Sequence, residues 1–243
     1  MPRSRLSQLS LSIGACAVMT AMPGMLFAAP QEFVSHLQQL NNSGVTADAH
    51  VLLDGTSLTV DMHGTGLTPN QPHPIHIHGF GGDIPSVIPT LADDTDHDGF
   101  IELAEGQVRY GPIILNIASG STPTGPEVNP VSQFPTAPGG ILNFHQTYNF
   151  NLSDSNQATI FNLLQPLNLR HFVIHGMNVP AGVGLGTPGE VNGTGGYLAV
   201  LPVANGNINS VPEPGSIALL STGLIGLGWL TRRRRDATRE STS

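Results

Sequence analysis

Apolar and polar residues alternate in short runs through the middle of the chain, and glycine and proline punctuate the runs. Ala49 to Leu53 and Leu58 to Met62 carry an apolar residue at every second place and flank Asp54-Gly55. A period of two is that of a strand with one buried face, and Asp-Gly supplies the positive φ angles of a tight hairpin. Further strands are predicted at His73–Phe80, Tyr110–Ile117, Ile141–Phe150, Arg170–His175 and Tyr197–Val203. Helical spacing is confined to Phe33, Leu37 and Leu40, read as one short amphipathic turn, and to Ala158–Leu164. Ser119 to Gly140 is rich in Pro, Gly, Ser and Thr and reads as a long surface loop. Six or seven short strands joined by turn-rich loops predict an all-β fold, an antiparallel sandwich or partly closed barrel.

The two ends read differently. Arg3 and Arg5 precede an apolar run from Leu9 to Phe27, broken late by Pro23-Gly24 and followed by Ala28-Ala29. This is the order of a secretory signal peptide, here residues 1–29, with removal expected after Ala28 or Ala29. At the other end Pro212, Glu213 and Pro214 precede an apolar stretch from Gly215 to Thr231 and then Arg232, Arg233, Arg234 and Arg235. Residues 211–235 resemble the PEP-CTERM sorting tail in all three of its parts. The resemblance implies cleavage near Pro212 to Pro214 by an exosortase-type membrane enzyme, in a Gram-negative cell that makes exopolysaccharide. The span would lie in the inner membrane in transit, with the arginines and residues 236–243 on the cytoplasmic side by the positive-inside rule. The product would then stand at the cell surface or in the extracellular matrix.

Residues 30–210 remain, a length suited to one domain. The chain has no lysine, and only Arg109 and Arg170 fall in this region, whereas all but Glu213, Asp236 and Glu240 of the 17 acidic residues do. Such a surface offers no basic footprint for phosphates, which excludes nucleic acid as a partner. The single cysteine, Cys16, leaves with the signal peptide, so the domain must stand on its apolar core without a disulfide.

Chemistry concentrates in two places. Asp94-Thr95-Asp96-His97-Asp98-Gly99-Phe100-Ile101-Glu102-Leu103-Ala104-Glu105 fits the twelve-residue EF-hand calcium loop. Asp94, Asp96 and Asp98 supply carboxylate oxygens, Gly99 permits the sharp turn and Phe100 offers its carbonyl. Glu102 stands where a water bridges, and Glu105 closes the site bidentately. Pro85 and Pro89 crowd the place of the entering helix, and Gly106 is expected to end the exiting one, so the loop reads as a lone clip inserted between strands. The second place is His76-Ile77-His78. On a strand the two imidazoles share one face while Ile75 and Ile77 take the other. His175 ends another strand, and His145 lies on a polar strand face. The four are the candidate copper ligands, with hydrogen-bonded structural imidazoles as the alternative.

Ser43-Gly44-Val45, Leu58-Thr59-Val60, Gly66-Leu67 and the His-Ile-His strand together resemble the CHRD (chordin-type) domain. His76-Ile77-His78-Gly79-Phe80 with the later Val173-Ile174-His175-Gly176 is similar to the copper-zinc superoxide dismutase sandwich, whose corresponding histidines hold copper. Both resemblances imply a Greek-key β-sandwich. The dismutase pattern is incomplete: its cysteines and its zinc-binding run are missing, and Gly195-Gly196-Tyr197 stands where a substrate-guiding arginine belongs. The acidic surface would also repel superoxide. The expectation is therefore a non-enzymatic, exported β-sandwich that binds calcium. A copper-dependent, dismutase-like redox enzyme and an exopolysaccharide-binding adhesin are the alternatives.

Overall fold

The structure, a computed structural model, describes residues 29–126 and 131–212. Most of the signal segment lies outside the described residues, as do Glu213, Pro214, the apolar span and Arg232 to Arg235. Pro212 is described and exposed.

Nine strands occur among the described residues, and every pairing between them is antiparallel. They are β1 (Gln31–Gln39), β2 (Thr46–Asp54), β3 (Ser57–Thr65), β4 (Ile75–His78), β5 (Ile113–Asn116), β6 (Leu142–Asn149), β7 (His171–Val179), β8 (Gly196–Asn207) and β9 (Asn209–Ser210). The order across the sheet is β5-β4-β7-β8-β1-β2-β3-β6, with β9 also on β1. The chain passes between the two ends of this order at β3 to β4, β5 to β6 and β6 to β7, the cross-leaf connections of a sandwich. Strand β1 is the corner. Its residues Gln31 to Leu37 pair with β2, while Gln38 and Gln39 pair with β8.

Leu37, Val51 and Val60 of one leaf and Ile75, Ile77, Phe172, Ile174 and Val203 of the other are fully buried in one shared core. Burial of each such side chain contributes roughly 1.5–3 kcal/mol relative to exposure. The hairpin at Asp54-Gly55 forms as expected, with Asp54 opposite Ser57 and Gly55 at φ 57°. Strand β6 also matches its predicted position, whereas β7 and β8 run further than expected and β4 and β5 are shorter.

Three local expectations are corrected. Phe33 and Leu37 lie on strand β1, not on a helical turn. Ser35 occupies the buried place between them, so along the strand the inward apolar residues recur only at every fourth residue, a spacing that a helix shares. Tyr110 ends a helix, α1 (Leu103–Tyr110), and the strand after it begins only at Ile113. Gly106 lies inside α1 rather than ending it. A side chain there would overlap the Tyr110 ring, so the glycine is what lets the buried tyrosine fold back on its own helix. The second helix, α2 (Ser155–Leu164), includes the predicted Ala158–Leu164 and begins three residues earlier. Asp154 caps it, accepting from Asn156 N at 2.9 Å and Gln157 N at 3.0 Å.

Arg170 fastens the loops around the start of β7. It is wholly buried, and its guanidinium donates to the carbonyls of Leu163, Gln165, Gly82 and Ile84 at 2.8, 2.7, 2.8 and 3.3 Å. The described residues of the 119–140 segment form irregular chain and two short turns, yet they carry Phe134 and Ala137 into the interior.

Candidate metal centres

The β4 sequence buries all four of its residues, isoleucines toward the core and His76 and His78 toward the opposite side. Strand β7 pairs with β4 through Ile174 opposite Ile75 and Val173 opposite His76, so alternation along β7 puts His175 on the same face as His76 and His78. One ring nitrogen from each of His76, His78 and His175 lies within 4.8 Å of the other two. His76 Nδ1, His78 Nε2 and His175 Nε2 are buried without any hydrogen-bond partner.

The other nitrogens explain the orientation. His78 Nδ1 donates to Gly111 O at 2.9 Å, and His175 Nδ1 donates to Val200 O at 2.6 Å. A proton held on Nδ1 leaves a lone pair on Nε2, the form in which imidazole binds a metal. Gly111 has φ 87°, and a side chain there would collide with the Gly79 backbone, so this carbonyl sits where only glycine fits. Burial, reinforced by the neighbouring His175, holds His76 and His78 well below the usual imidazole range. Burial holds His175 down to about 4 against the opposing hydrogen bond to Val200. All three rings are therefore neutral at neutral pH.

Phe134 packs edge-on against His76 at 5.3 Å between ring centroids, and Tyr110 against His78 at 4.6 Å. A cavity of about 160 Å³, lined by Pro74, Ile113, Phe134 and Val200, opens onto His76 and His175. His73 sits behind the triad, with its ring nitrogens on His175 O at 2.8 Å and Thr68 O at 3.0 Å.

His145 does not join the triad. It stands on the exposed face of β6 with its Nδ1 2.5 Å from Asp61 Oδ1. Strand alternation correctly placed it on a polar face, but that face is the outside of the other leaf.

The acidic loop is the second cluster. Asp94, Asp96 and Asp98 each present an oxygen within 4.8 Å of the others. Asp94 accepts from His97 N at 2.7 Å and Gly99 N at 2.9 Å, which winds the loop around its carboxylate, and Gly99 adopts φ 93°. Asp98 Oδ1 accepts from Phe100 N at 2.8 Å, while Oδ2 is buried with no partner. Burial raises the Asp98 pKa, and Asp96, Asp94 and Glu105 add repulsion. Glu105 bridges the ends of the loop. Its Oε1 accepts from Thr95 N at 2.5 Å and Thr95 Oγ1 at 2.7 Å, and its Oε2 from Glu102 N at 3.0 Å. Burial acts to raise its pKa, but these hydrogen bonds outweigh it and the net shift is downward.

Glu102 stands apart from the three aspartates and instead accepts from Val191 N at 2.6 Å. Burial, with Glu190 and the loop aspartates adding repulsion, pushes it up to about 7. The Phe100 side chain packs on a small separate cluster of Val179, Val191 and Leu201. The exiting helix runs on through Gly106 to Tyr110, against the expectation, whereas the entering side has only a single turn at Leu91–Asp93, in keeping with the prolines there.

Asn41 is a residue of the candidate site that gave no signal in the sequence. Its amide accepts from Ile101 N at 2.7 Å and donates to Ile101 O and Pro202 O, both at 2.9 Å. Both backbone groups of the loop's buried isoleucine are thereby anchored to the β1 corner.

Residues 210–235 match the family model described as the PEP-CTERM protein-sorting motif. No curated protein matches the chain. The motif makes this an exported protein with a C-terminal sorting tail, and it implies processing by an exosortase-type enzyme. No helix among the described residues is long and apolar enough to cross a membrane.

Proposed function

We propose that this chain is an exported, calcium-binding β-sandwich of the cell surface or extracellular matrix, CHRD-like in kind, whose buried histidine triad holds a copper ion. The observation that carries the copper reading is the set of three unpartnered ring nitrogens converging inside the protein. A buried polar atom without a partner costs roughly 1–3 kcal/mol, and three such atoms aimed at one point are best accounted for by one cation. Neutral imidazoles suit copper and zinc, and copper binds nitrogen sites most tightly among the divalent first-row ions. His76, His78 and His175 would be the ligands. The carbonyls of Gly111 and Val200 hold two of the rings in the required tautomer, and Phe134 packs edge-on against His76.

Bound copper would supply one-electron redox chemistry, and a dismutase-like enzyme is the second reading. The small cavity reaching His76 and His175 favours it, while the acidic surface works against an anionic substrate. Calcium is supported by the convergence of Asp94, Asp96 and Asp98 and by the unpartnered Asp98 Oδ2.

The test is copper titration of the full chain followed by paramagnetic resonance. One tightly held copper with nitrogen hyperfine structure is expected, and it should disappear in the double variant His76→Gln, His78→Gln. If binding is absent, or survives in that variant, the histidines are structural. A dismutase assay on the loaded protein separates the second reading from the first.

A further inference from the structure

The outer face of β1, β2, β3 and β6 carries a second set of histidines that neither candidate centre uses. Cross-strand register arranges them in two rows. In the first, His36 of β1 faces Asp48 of β2, which faces His63 of β3, which faces Asn143 of β6. In the second, His50 of β2 faces Asp61 of β3, which faces His145 of β6. Each aspartate therefore has an imidazole on both neighbouring strands, and four of the chain's ten histidines lie on this one face.

A solvated strand face needs only polar residues, and isolated exposed ion pairs contribute little to stability. Neither requirement explains the repeated His-Asp-His order. We propose that each row is a surface site for a divalent transition-metal ion of the zinc type, with Asp48 or Asp61 as the central carboxylate and the two flanking imidazoles as the other ligands.

In each row one imidazole already meets the central carboxylate through a hydrogen bond whose proton the ion would replace. His36 Nδ1 lies 2.5 Å from Asp48 Oδ1, and His145 Nδ1 lies 2.5 Å from Asp61 Oδ1. The third ligand of each row is turned aside, His63 toward Asn143 Oδ1 at 2.8 Å and His50 toward Glu32 Oε2 at 3.6 Å. Both are exposed side chains, whose rotamers exchange in picoseconds to nanoseconds. Adjacent strands are roughly 4.8 Å apart, so a central carboxylate is within reach of imidazoles on both sides. An open depression of about 600 Å³ lies over these six residues and leaves room for water ligands. No lysine or arginine stands on the four strands, so no fixed cation opposes an incoming ion. Two nitrogens, one carboxylate oxygen and water form a zinc-type donor set, which calcium, a ligand of oxygens, would not choose.

The rows lie on a different leaf from His76, His78 and His175, so their test is independent of the copper centre. The full chain is titrated with zinc by calorimetry in excess calcium, which keeps the acidic loop filled. The variant His36→Gln, His50→Gln, His63→Gln, His145→Gln is expected to bind two fewer zinc ions than the parent. The row variants His36→Gln, His63→Gln and His50→Gln, His145→Gln should each bind one fewer. The variant His76→Gln, His78→Gln should keep both surface equivalents. Melting in chelator should be the same for the surface variants and the parent, which shows that the loss is not one of folding. Unchanged zinc stoichiometry in the surface variants overturns the proposal.

Discussion

His76, His78 and His175 are buried in a form that refuses protons, and this makes the metal-free protein sensitive to acid. Unfolded, each imidazole takes a proton near pH 6.5, whereas in the native state burial holds all three lower, His175 at about 4. Between those limits the unfolded chain binds more protons than the native one, so native stability falls as pH falls. The contribution is complete above about pH 6.5 and decreases by up to about 1.4 kcal/mol per pH unit for each ring excluded from protonation. In chelator, the melting temperature is expected to drop between pH 7 and pH 5, and less steeply in His78→Gln, His175→Gln. An equally steep profile in the variant would mean that other groups govern acid sensitivity. At this scale the His-x-His pair was legible because two residues on one strand face are adjacent whatever else the chain does. His145 was not, since alternation assigns a face and leaves open which leaf that face belongs to.

The acidic loop and α1 act as one element. Asp94, Asp96 and Asp98 converge, Glu105 ties the loop to the first turn of the helix, and Asn41 grips Ile101 from the β1 corner. Calcium at about a hundred times its dissociation constant, itself roughly 0.1–1 mM for extracellular modules of this chemistry, would add about 2.7 kcal/mol by mass action. For a domain of this size that is a rise of roughly 5–10 °C in melting temperature. Asp94→Ala or Glu105→Gln should abolish the rise, and magnesium should not reproduce it. Asn41→Ala should lower the melting temperature in chelator as well, because it leaves both backbone groups of a buried residue without partners, at roughly 1–3 kcal/mol. Equal melting of the parent in calcium and in chelator would show that the loop does not hold the ion. The twelve-residue pattern was readable because every diagnostic position lies within one short segment. The continuation of α1 through Gly106 was not, since it depends on the Tyr110 ring packing over that glycine.

At the scale of the whole molecule, the sorting tail and the sandwich divide the work. The tail at 210–235 directs an exported chain to its processing enzyme, and the sandwich carries the candidate metal chemistry. Replacing Arg232, Arg233, Arg234 and Arg235 with neutral residues removes the basic stop that orients the apolar span. The expected result is loss of the processed form, read by mass spectrometry of the cell-surface and secreted fractions. Unchanged processing would show that the Pro212-Glu213-Pro214 segment and the span suffice. The net charge of −8 belongs to this scale too, since it sets a field that favours cations at every site on the protein.

The sequence by itself determined what is local: the hairpin at Asp54-Gly55, the paired imidazoles of His76 and His78, the carboxylates of Asp94, Asp96 and Asp98, and the C-terminal sorting tail. In each case the residues lie within a few positions of one another, and backbone geometry alone fixes their relation. Tertiary structure decided what spans the chain. It brought His175 to His76 and excluded His145, turned Glu102 to Val191, set Asn41 on Ile101, and aligned two His-Asp-His rows across separate strands. Those relations depend on strand order and register. A slip of one residue would turn every side chain of a strand to the opposite face, so they are settled only when the two leaves close on a common core.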